Sequence, residues 1–300
     1  MGKRVVPGSH TKTATLRIIT DWLSSQVYIV TGSNTGVGKE LARMLYSKNA
    51  KVYIAARSED KANKAIEEIK KSTPASTGAL VFLRLDLSDL TTIKASAESF
   101  LSSERKLHVL FNNAGVMTPS QGVSKTAQGY ELHLGVNNIG TFMFTKLLTP
   151  TLVTTAKSEP PNTVRVVWVS SSATEFFAHK SLGVLLDNLD YHIDKSPHYK
   201  ADGVISIPLN PGNLSSELYR KQGAMFRLMV KLIAYPPVFG AYTELFAGLS
   251  PKVTIDNCPL RPNLADSKDF VDATKTEAEG GTGAGLKFWE WTEDQIRGYL

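Results

Sequence analysis

Residues 27–45 read VYIVTGSNTGVGKELARML. The apolar run Val27–Val30 predicts a buried strand. Three glycines, Gly32, Gly36 and Gly38, follow it closely and predict a turn. The residues beyond the third glycine have the periodicity of a helix. The stretch therefore predicts a strand, a glycine-rich turn and the start of a helix in immediate succession.

This order of elements is typical of a dinucleotide-binding turn. Gly32 permits the tight turn, Gly36 lets the backbone approach a pyrophosphate, and Gly38 lets the helix pack close to the strand. The N-terminus of the helix offers free N–H groups and a positive dipole end to the phosphates. The residues of this turn predicted to bind the cofactor are Gly32, Ser33, Asn34, Gly36, Val37, Gly38 and Lys39.

Length and composition are those of one large α/β domain. The chain has 300 residues, of which 42% are hydrophobic and 21% are charged, and its net charge is +6. Lysine and arginine are spread along the chain, which favours a mildly basic enzyme that binds a polyphosphate cofactor over a nucleic-acid-binding protein. Cys258 is the only cysteine. An intramolecular disulfide and a cysteine-based zinc site are thereby excluded, and no metal site is predicted.

Short apolar runs alternate with helical patterns along most of the chain. This alternation predicts a single Rossmann-type, doubly wound parallel sheet over residues 26–300, after an unmatched leader at residues 1–25. The predicted strands are Val27–Val30, Lys51–Ala55, Leu80–Leu85, Val109–Phe111, Val164–Val169 and Val204–Leu209. The predicted helices are Lys39–Ser47, Glu59–Lys71, Leu90–Ser102, Gly129–Leu148, Leu214–Ala234, Gly240–Leu249 and Gly285–Leu300.

A second motif, Asn112-Asn113-Ala114-Gly115, follows the fourth predicted strand. A threonine-first turn of the form T-G-x-x-x-G-x-G with N-N-A-G downstream resembles the short-chain dehydrogenase/reductase family, and within it the fungal oxidoreductases related to retinol dehydrogenases. The resemblance covers about residues 27–230. Further matching positions are Asp86, Leu87, Asn137, Ser170, Ser171, Ser172, Pro211, Gly212 and Asn213.

The resemblance implies hydride transfer between a nicotinamide cofactor and a carbonyl or alcohol group. It assigns Ser171 to polarising the substrate oxygen and Asn137 to a water-linked proton path. It also implies that Leu214–Ala234 forms a C-terminal helical substrate lid, whereas its apolar side alone is equally typical of a core helix. The cofactor residues that it adds are Asp86, Leu87, Asn113, Ala114, Gly115, Pro211 and Gly212.

The end of the second strand bears on which nicotinamide cofactor is used. An NAD enzyme usually has Asp or Glu there to bind the ribose hydroxyls. Here the strand runs into Ala56-Arg57-Ser58, and no acid occurs before Glu59. A guanidinium at Arg57 suits a 2′-phosphate, which predicts NADP. The alternative is that Arg57 is a solvated loop residue.

The family's Tyr-x-x-x-Lys helix, expected between the fifth and sixth strands, is apparently missing. The lysine of that pair lowers the pKa of the tyrosine, which is near 10 in a free side chain. The string Tyr191-His192-Ile193-Asp194-Lys195 matches by spacing, but Pro197 follows and no amphipathic pattern surrounds it. Tyr199 is a remnant candidate, with Lys200 adjacent to it. An excised helix is also expected to leave part of the sheet or of Gly129–Leu148 exposed.

Two functions follow from these features. The first is an NADP(H)-dependent oxidoreductase acting on a lipophilic small molecule, in a role that belongs to fungal secondary metabolism. The second is a catalytically silent dinucleotide-binding module, because the Tyr/Lys pair is lost. We expect a cytoplasmic protein in preference to a mitochondrial one, with no nucleic-acid partner and no stable membrane insertion. The sequence leaves open whether the chain forms a homo-oligomer, and the missing helix is expected to weaken such an assembly.

Overall fold

The computed structural model describes residues 26–117, 124–170, 205–219, 222–255 and 282–300, together with Ala278 and Gly280. Its centre is a sheet of six parallel strands in the spatial order β3-β2-β1-β4-β5-β6. The strands are β1 Val27–Thr31, β2 Lys51–Ala56, β3 Ala79–Arg84, β4 Val109–Asn112, β5 Arg165–Val169 and β6 Ile205–Leu209. The predicted doubly wound α/β fold is confirmed.

Seven α-helices flank the sheet in the described part of the chain. They are α1 Gly36–Tyr46, α2 Glu59–Ser72, α3 Leu90–Ser103, α4 Thr141–Ser158, α5 Ala224–Ile233, α6 Pro237–Leu249 and α7 Ala284–Ile296. Local signals set several of their ends. The side chains of Ser58 and Asp89 cap α2 and α3 by accepting backbone N–H bonds, and Pro237 occupies the first turn of α6.

The sheet separates two apolar cores. One core contains residues of α1, α2 and α6, and the other contains residues of α3, α4 and α7. Both faces of β1 are therefore covered, and Ile29 and Val30 are fully buried. Strand β1 pairs with both β2 and β4, so the chain reverses its winding direction there. Such a switch point leaves a crevice at the carboxyl ends of the strands, where doubly wound proteins bind ligands.

Two predicted helices differ from those observed. The segment predicted at Gly129–Leu148 begins as a π-helix, Leu134–Gly140, and continues as α4 through Pro150 to Ser158. The segment predicted at Leu214–Ala234 is not one helix. Leu214 forms a parallel bridge with Tyr235, a 3₁₀ turn follows at Glu217–Tyr219, and only α5 is α-helical. None of the residues of α5 is buried, so the expectation of a core helix is wrong.

Of the two exposures expected from a missing helix, that of part of the sheet or of Gly129–Leu148, the structure covers the helical part of the second among the described residues. Phe142 on α4 is 1% exposed, because the ring of Trp289 on α7 packs edge-on against it with centroids 4.7 Å apart. Lys146 on α4 also pairs with Glu293 on α7. The C-terminal helix thus covers this surface, and the exposed apolar surface lies on α5 instead. Among the described helices, none is long and apolar enough to cross a membrane.

Two ionisable side chains are buried at α6, Arg165 from β5 and Glu244 from the helix itself. They differ in whether hydrogen bonds satisfy their polar atoms. The Arg165 guanidinium donates to the carbonyl oxygens of Ala247, Ser250 and Val253 at 2.7, 2.8 and 3.2 Å, and so stabilises the C-terminal end of the helix. Glu244 is fully buried, and neither carboxyl oxygen has a hydrogen-bond partner. Burial raises the pKa of Glu244 to about 8, so this carboxyl group is largely protonated at neutral pH.

Replacing Glu244 with Gln should flatten the pH dependence of stability. The pKa of Glu244 rises from 4.5 to about 8 on folding, so the folded state binds more protons between these values. The free energy of unfolding of the unmodified chain should therefore fall as pH rises through this window, by at most about 1.4 kcal/mol per pH unit. Urea unfolding at a series of pH values measures this slope for both proteins.

The matched control for this comparison is Glu290→Gln, which removes an exposed carboxylate on α7. This variant should keep the pH dependence of the unmodified chain. Parallel stability curves for the Glu244 variant and the unmodified chain would contradict the assignment of a neutral, buried carboxyl group.

Candidate functional site

The glycine turn after β1 is joined to the end of β4 and the loop after it by hydrogen bonds that both segments donate. The Thr31 hydroxyl donates to the Phe111 carbonyl oxygen at 3.2 Å and accepts the Ala114 N–H at 2.9 Å. The Asn113 side-chain amide donates to the Thr31 carbonyl oxygen at 2.7 Å. These bonds place the two sequence motifs side by side at the crevice, as the topology requires.

Two glycines in the turn are required by contacts within the protein. A Cβ on Gly32 would lie 2.9 Å from the Ala114 Cα, and Gly32 has a φ of +67°. A Cβ on Gly38 would lie 2.4 Å from the Asn113 side-chain nitrogen. Any larger residue at either position would push the loop after β4 away from the turn.

Gly36 differs from these two because it faces open space. Its φ is +59°, and a Cβ there would meet only the Cβ of Ser216, at 3.8 Å. Ser216 belongs to the segment after β6, so this segment lies across the crevice from the turn. The space beside Gly36 is where the predicted approach of a pyrophosphate to the backbone would occur.

The N-terminus of α1 has features that fit an anion. Thr35 is the N-cap residue, but its side chain makes no capping hydrogen bond, and the first turn has no acidic residue. The first N–H groups of the helix therefore lack the usual side-chain acceptor. A phosphate group at this position would accept those bonds and would be stabilised by the helix dipole.

Two side chains predicted to contact the cofactor are engaged inside the protein. The buried Ser33 hydroxyl donates to the Val30 carbonyl oxygen at 2.6 Å and so stabilises the turn itself. The Lys39 ammonium pairs with Glu68 on α2, and this pair lowers the pKa of the Glu68 carboxyl group. Direct contacts of Ser33 and Lys39 with a cofactor, like those of Asn34 and Val37, stay predictions.

The end of β2 lies against the glycine turn. The Gly32 N–H donates to the Ala55 carbonyl oxygen at 2.8 Å. Arg57 follows two residues later and is exposed. Within the described ranges, no hydrogen bond or ion pair engages its guanidinium group. A basic, uncommitted side chain therefore lies at the position where an NAD enzyme usually has an acid.

The loop after β3 packs closely against the start of α4. The Asp86 carboxylate accepts the N–H and the hydroxyl of Ser88, at 3.0 and 2.6 Å. Leu87 is buried, and a Cβ on Gly140 would lie 2.3 Å from the Leu87 carbonyl oxygen. The side chain of Leu87 thus belongs to the core, and its predicted place beside the cofactor stays a prediction.

Asn137 lies in the π-helical segment and is bonded to the loop after β4. Its side-chain oxygen accepts the Val116 N–H at 2.8 Å, and its amide donates to the Val116 carbonyl oxygen at 3.2 Å. The same loop contains Gly115, at which a Cβ would lie 3.6 Å from the Asn137 side-chain oxygen. Asn137 therefore holds this loop in place, and π-helical turns of this kind are frequent at functional sites.

The loop after β6 completes the edge of the crevice. The Gly212 N–H donates to the Asn210 side-chain oxygen at 3.0 Å, and the φ of Gly212 is +91°. Pro211 lies against Gly240 at the start of α6, where a Cβ would approach the Pro211 Cβ to 3.3 Å. Pro211 and Gly212 are thus near the turn, on the side of Gly36.

The predicted catalytic side chains other than Asn137 lie outside the described residues. These are Ser171 and Tyr199, together with the doubtful pair Tyr191 and Lys195. The Ser170 N–H donates to the Leu209 carbonyl oxygen at 2.7 Å, so the chain leaves the sheet at its carboxyl edge directly before Ser171.

Comparison with known proteins agrees with this geometry. Residues 26–181 match the family model of short chain dehydrogenases. The chain is 50% identical over 308 residues to a "Short-chain dehydrogenase/reductase" of Phomopsis amygdali, covering 93% of this chain and 91% of that protein. The chain belongs to the short-chain dehydrogenase family. The members of this family are oxidoreductases that act on small molecules with a nicotinamide cofactor. As a member, this chain also uses a nicotinamide cofactor.

Other similar proteins extend the comparison. The chain is 45% identical over 305 residues to "Short-chain dehydrogenase/reductase bet4" of Neocamarosporium betae, covering 93% of this chain and 88% of that protein. Among solved structures, a 3-ketoacyl-(acyl-carrier-protein) reductase from Brucella melitensis complexed with NADH has a TM-score of 0.56 and 21% identity. The alignment covers 77% of this chain and 95% of that one, and this likeness supports the fold.

Sequence reasoning missed two residues of this dehydrogenase site. Thr31 was noted only as the first letter of a motif, although its hydroxyl joins the two loops. A hydroxyl residue at the last position of an otherwise apolar strand was a signal for such a bridge. Ser216 had no signal of its own, because its place opposite Gly36 depends on the tertiary fold.

The open side of Gly36 can be tested with Gly36→Ala. The added methyl group meets little protein, so the loss of stability should be only the strain of a positive φ, about 1–2 kcal/mol. The dissociation constants of NADPH and NADH should rise at least about tenfold, because the methyl group occupies the approach to the pyrophosphate. Thermal unfolding and calorimetric titration measure the two effects.

Gly129→Ala is the matched control, because Gly129 has a φ of +85° and nothing lies within 4 Å of its added Cβ. It should lose similar stability and keep its nucleotide affinity. Equal affinities for the Gly36 variant and this control would refute the assigned role of the turn.

Proposed function

We propose that this chain is an NADP(H)-dependent oxidoreductase that transfers a hydride between the nicotinamide and a carbonyl or alcohol group of a lipophilic small molecule. The observation that carries the proposal is the N-terminus of α1, which begins at Gly36 and lacks a side-chain cap. The residue Arg57 follows the end of β2, where the Ala55 carbonyl oxygen accepts the Gly32 N–H of the same turn. Free N–H groups, an open approach and an uncommitted guanidinium are what a phosphorylated dinucleotide requires.

The preference for NADP rests on Arg57. A 2′-phosphate carries the negative charge that a planar guanidinium binds with two hydrogen bonds, whereas a ribose hydroxyl is best bound by a carboxylate. Ala55 and Ala56, the residues before Arg57, are buried and apolar, so they supply no acid. Glu59 is in the first turn of α2, where it complements that helix dipole.

Replacing Arg57 with Ala should weaken NADPH binding and leave NADH binding unchanged. The lost charge-assisted contact is worth about 1.5–3 kcal/mol, which is a rise of at least about tenfold in the dissociation constant. Titration of nucleotide fluorescence with both cofactors measures the change. Arg105→Ala is the control, since Arg105 is an exposed arginine on the loop after α3. Equal affinity of the unmodified chain for the two cofactors would refute the assignment.

The chemistry is divided between the cofactor and the side chains of this chain. The bound nicotinamide supplies or accepts the hydride. We propose that Ser171 holds the substrate oxygen by a hydrogen bond, and that a tyrosine from residues 191–199 delivers or removes the proton there. Asn137 fixes the loop after β4 through its two bonds to Val116.

A second candidate function is a dinucleotide-binding module without catalysis. Its support is the sequence between β5 and β6, where the one Tyr-x-x-x-Lys string, Tyr191 to Lys195, has no amphipathic pattern around it and is followed by Pro197. The alignment with the Phomopsis amygdali protein gives further support. The alignment has 308 positions, but 93% of this 300-residue chain is fewer than 300 residues. Some aligned residues of that protein therefore stand where this chain has a gap. Without a lysine-tuned tyrosine, general acid–base help worth about 10²–10⁴-fold in rate is lost.

The two candidates differ in turnover. We expect the chain to oxidise NADPH with ketones and aldehydes about 10²–10⁴-fold more slowly than an intact relative. Insertion of a helix containing Tyr-x-x-x-Lys between Lys200 and Ala201 should raise the rate. Steady-state absorbance of NADPH, with binding measured in parallel, provides the comparison.

Single substitutions then identify the residue that transfers the proton. If Tyr199→Phe removes the residual activity, Tyr199 is the proton donor. If Tyr191→Phe removes it, Tyr191 and Lys195 form the working pair. Tyr299→Phe, near the C-terminus, is the control and should change nothing. Cofactor binding without turnover in every form would establish the silent module.

The remaining assignments are proposals of the same kind. The lipophilic substrate is proposed by analogy with the family, and the role in fungal secondary metabolism is proposed because the similar proteins are fungal short-chain dehydrogenases. We propose that the protein works in the cytoplasm. The substrate lid predicted at Leu214–Ala234 is not supported by the packing of α5, whose apolar side chains are exposed.

A further inference from the structure

The C-terminal helix α7 contacts the segment that leads into the π-helical turn Leu134–Gly140. The Tyr130 hydroxyl donates to the side-chain oxygen of Gln295 at 3.0 Å, and the Trp291 ring stands edge-on to the Tyr130 ring with centroids 6.5 Å apart. Burial raises the pKa of Tyr130, so its hydroxyl remains a donor at neutral pH. One polar and one aromatic contact thus join the end of the chain to the segment before the turn.

Tyr130 in turn packs against the start of the π-helical turn. Its N–H donates to the Thr126 hydroxyl at 3.2 Å, and its carbonyl oxygen accepts the Thr126 N–H at 2.9 Å. Both residues lie close to Gly135, where a Cβ would be 2.2 Å from the Thr126 side chain and 3.3 Å from the Tyr130 Cβ. Glu131 follows Tyr130 directly, and its carboxylate accepts the Leu134 N–H at 2.9 Å. The position of Tyr130 therefore constrains the first residues of the turn.

Asn137 lies in this turn between Gly135 and Gly140. Glycine gives a helix little intrinsic stability, and π-helices are rare and short. The geometry of Asn137 is therefore decided by what packs around the turn rather than by local preference. Asn137 is bonded to Val116 of the loop after β4 at 2.8 and 3.2 Å, so a shift of the turn would break both bonds.

We propose that Tyr130 is a positioning residue for Asn137, and that Gln295 and Trp291 of α7 hold Tyr130 in place. The C-terminal helix then fixes the turn in the geometry in which Asn137 makes both of its bonds to Val116. What Asn137 does during hydride transfer rests on the proposed function, whereas the contacts that hold it do not. A side chain near the end of the chain thus acts on the reaction through Asn137.

Helix α7 has a second group of contacts, which attach it to α4. The Trp289 ring packs on Phe142, and Glu293 pairs with Lys146. Phe142 and Lys146 both lie after the π-helical turn in the chain. The contacts of α7 with α4 and its contacts with Tyr130 can therefore be altered separately.

The test follows the Val116 amide of the full chain by hydrogen–deuterium exchange in NMR spectra, without cofactor or substrate. Gln295→Leu removes the acceptor of the Tyr130 hydroxyl, and Tyr130→Phe removes the donor. Either variant should speed exchange of the Val116 N–H about fivefold, the factor that corresponds to a hydrogen bond of typical net strength. Since both variants remove the same bond, the double variant should exchange no faster than either single one.

Two control variants retain the bond between Tyr130 and residue 295. Glu293→Gln breaks the ion pair with Lys146 and should leave the Val116 amide at the rate of the unmodified chain. Gln295→Glu keeps an acceptor for the Tyr130 hydroxyl and should restore the same rate. A loss of protection in Glu293→Gln as large as that in Gln295→Leu would overturn the proposal.

The Gly32 N–H reports on the sheet in the same spectra, because it donates to the Ala55 carbonyl oxygen at 2.8 Å. It should exchange at one rate in all the variants. An unchanged Val116 amide in Gln295→Leu and Tyr130→Phe would overturn the proposal. An equal acceleration at Gly32 would overturn it as well, since the effect would then be a loss of stability of the whole fold.

Turnover supplies the readout that is specific to the reaction. Gln295→Leu should lower kcat for NADPH oxidation about fivefold and leave the KM of NADPH unchanged, because Asn137 shifts and the glycine turn does not. An unchanged kcat beside a faster-exchanging Val116 amide would overturn the catalytic part of the proposal. If the unmodified chain oxidises no NADPH with ketones or aldehydes, the proposed oxidoreductase function fails, and the exchange rates still decide whether Tyr130 positions Asn137.

Discussion

The close contact between the glycine turn and the loop after β4 is the constraint on which the site depends. Thr31 makes it possible, because its hydroxyl bonds to backbone groups on both sides of Asn112 and Asn113. Gly32 and Gly38 permit the approach, since a Cβ at either would collide with that loop. With the turn fixed in this way, the N-terminus of α1 faces the crevice at the switch point of the sheet. The phosphate binding that we propose for this turn would therefore use the same packing that holds β1 and β4 together.

Much of the fold was predictable because strands buried on both faces leave a simple signal. Six short apolar runs predicted six strands, and all six are observed. The motifs at the ends of these runs predicted the edge of the sheet at which a ligand binds. The helix after β4 was harder to predict. Its π-helical start contains Gly135 and Gly140, at which a Cβ would collide with Thr126 and with the Leu87 carbonyl oxygen, and Leu87 is distant from Gly140 along the chain. No local pattern specifies these close approaches.

The candidate site was predictable only at the positions that backbone geometry determines. The glycine positions follow from turn geometry, whereas the partners of Lys39 and Asn137 depend on which surfaces meet in three dimensions. Ser33 turned inward to the Val30 carbonyl, and Lys39 pairs with Glu68, so a polar residue beside a phosphate-binding turn need not contact the phosphate. Residue type identifies groups with the right chemistry, and only packing decides whether that chemistry is still available.

Helices α4 and α5 show why an apolar stripe does not reveal what covers it. Both sequences have apolar residues on one side, and the sequence predicted part of the first to be exposed and the second to cover a substrate. On α4 the stripe is buried, because Trp289 and Phe288 of the C-terminal helix supply the missing apolar surface. On α5, among the described residues, no comparable aromatic side chain covers Met225, Leu232 or Ile233, which stay exposed. The apolar stripe is similar in the two helices, so the stripe alone does not predict which of them the rest of the fold covers.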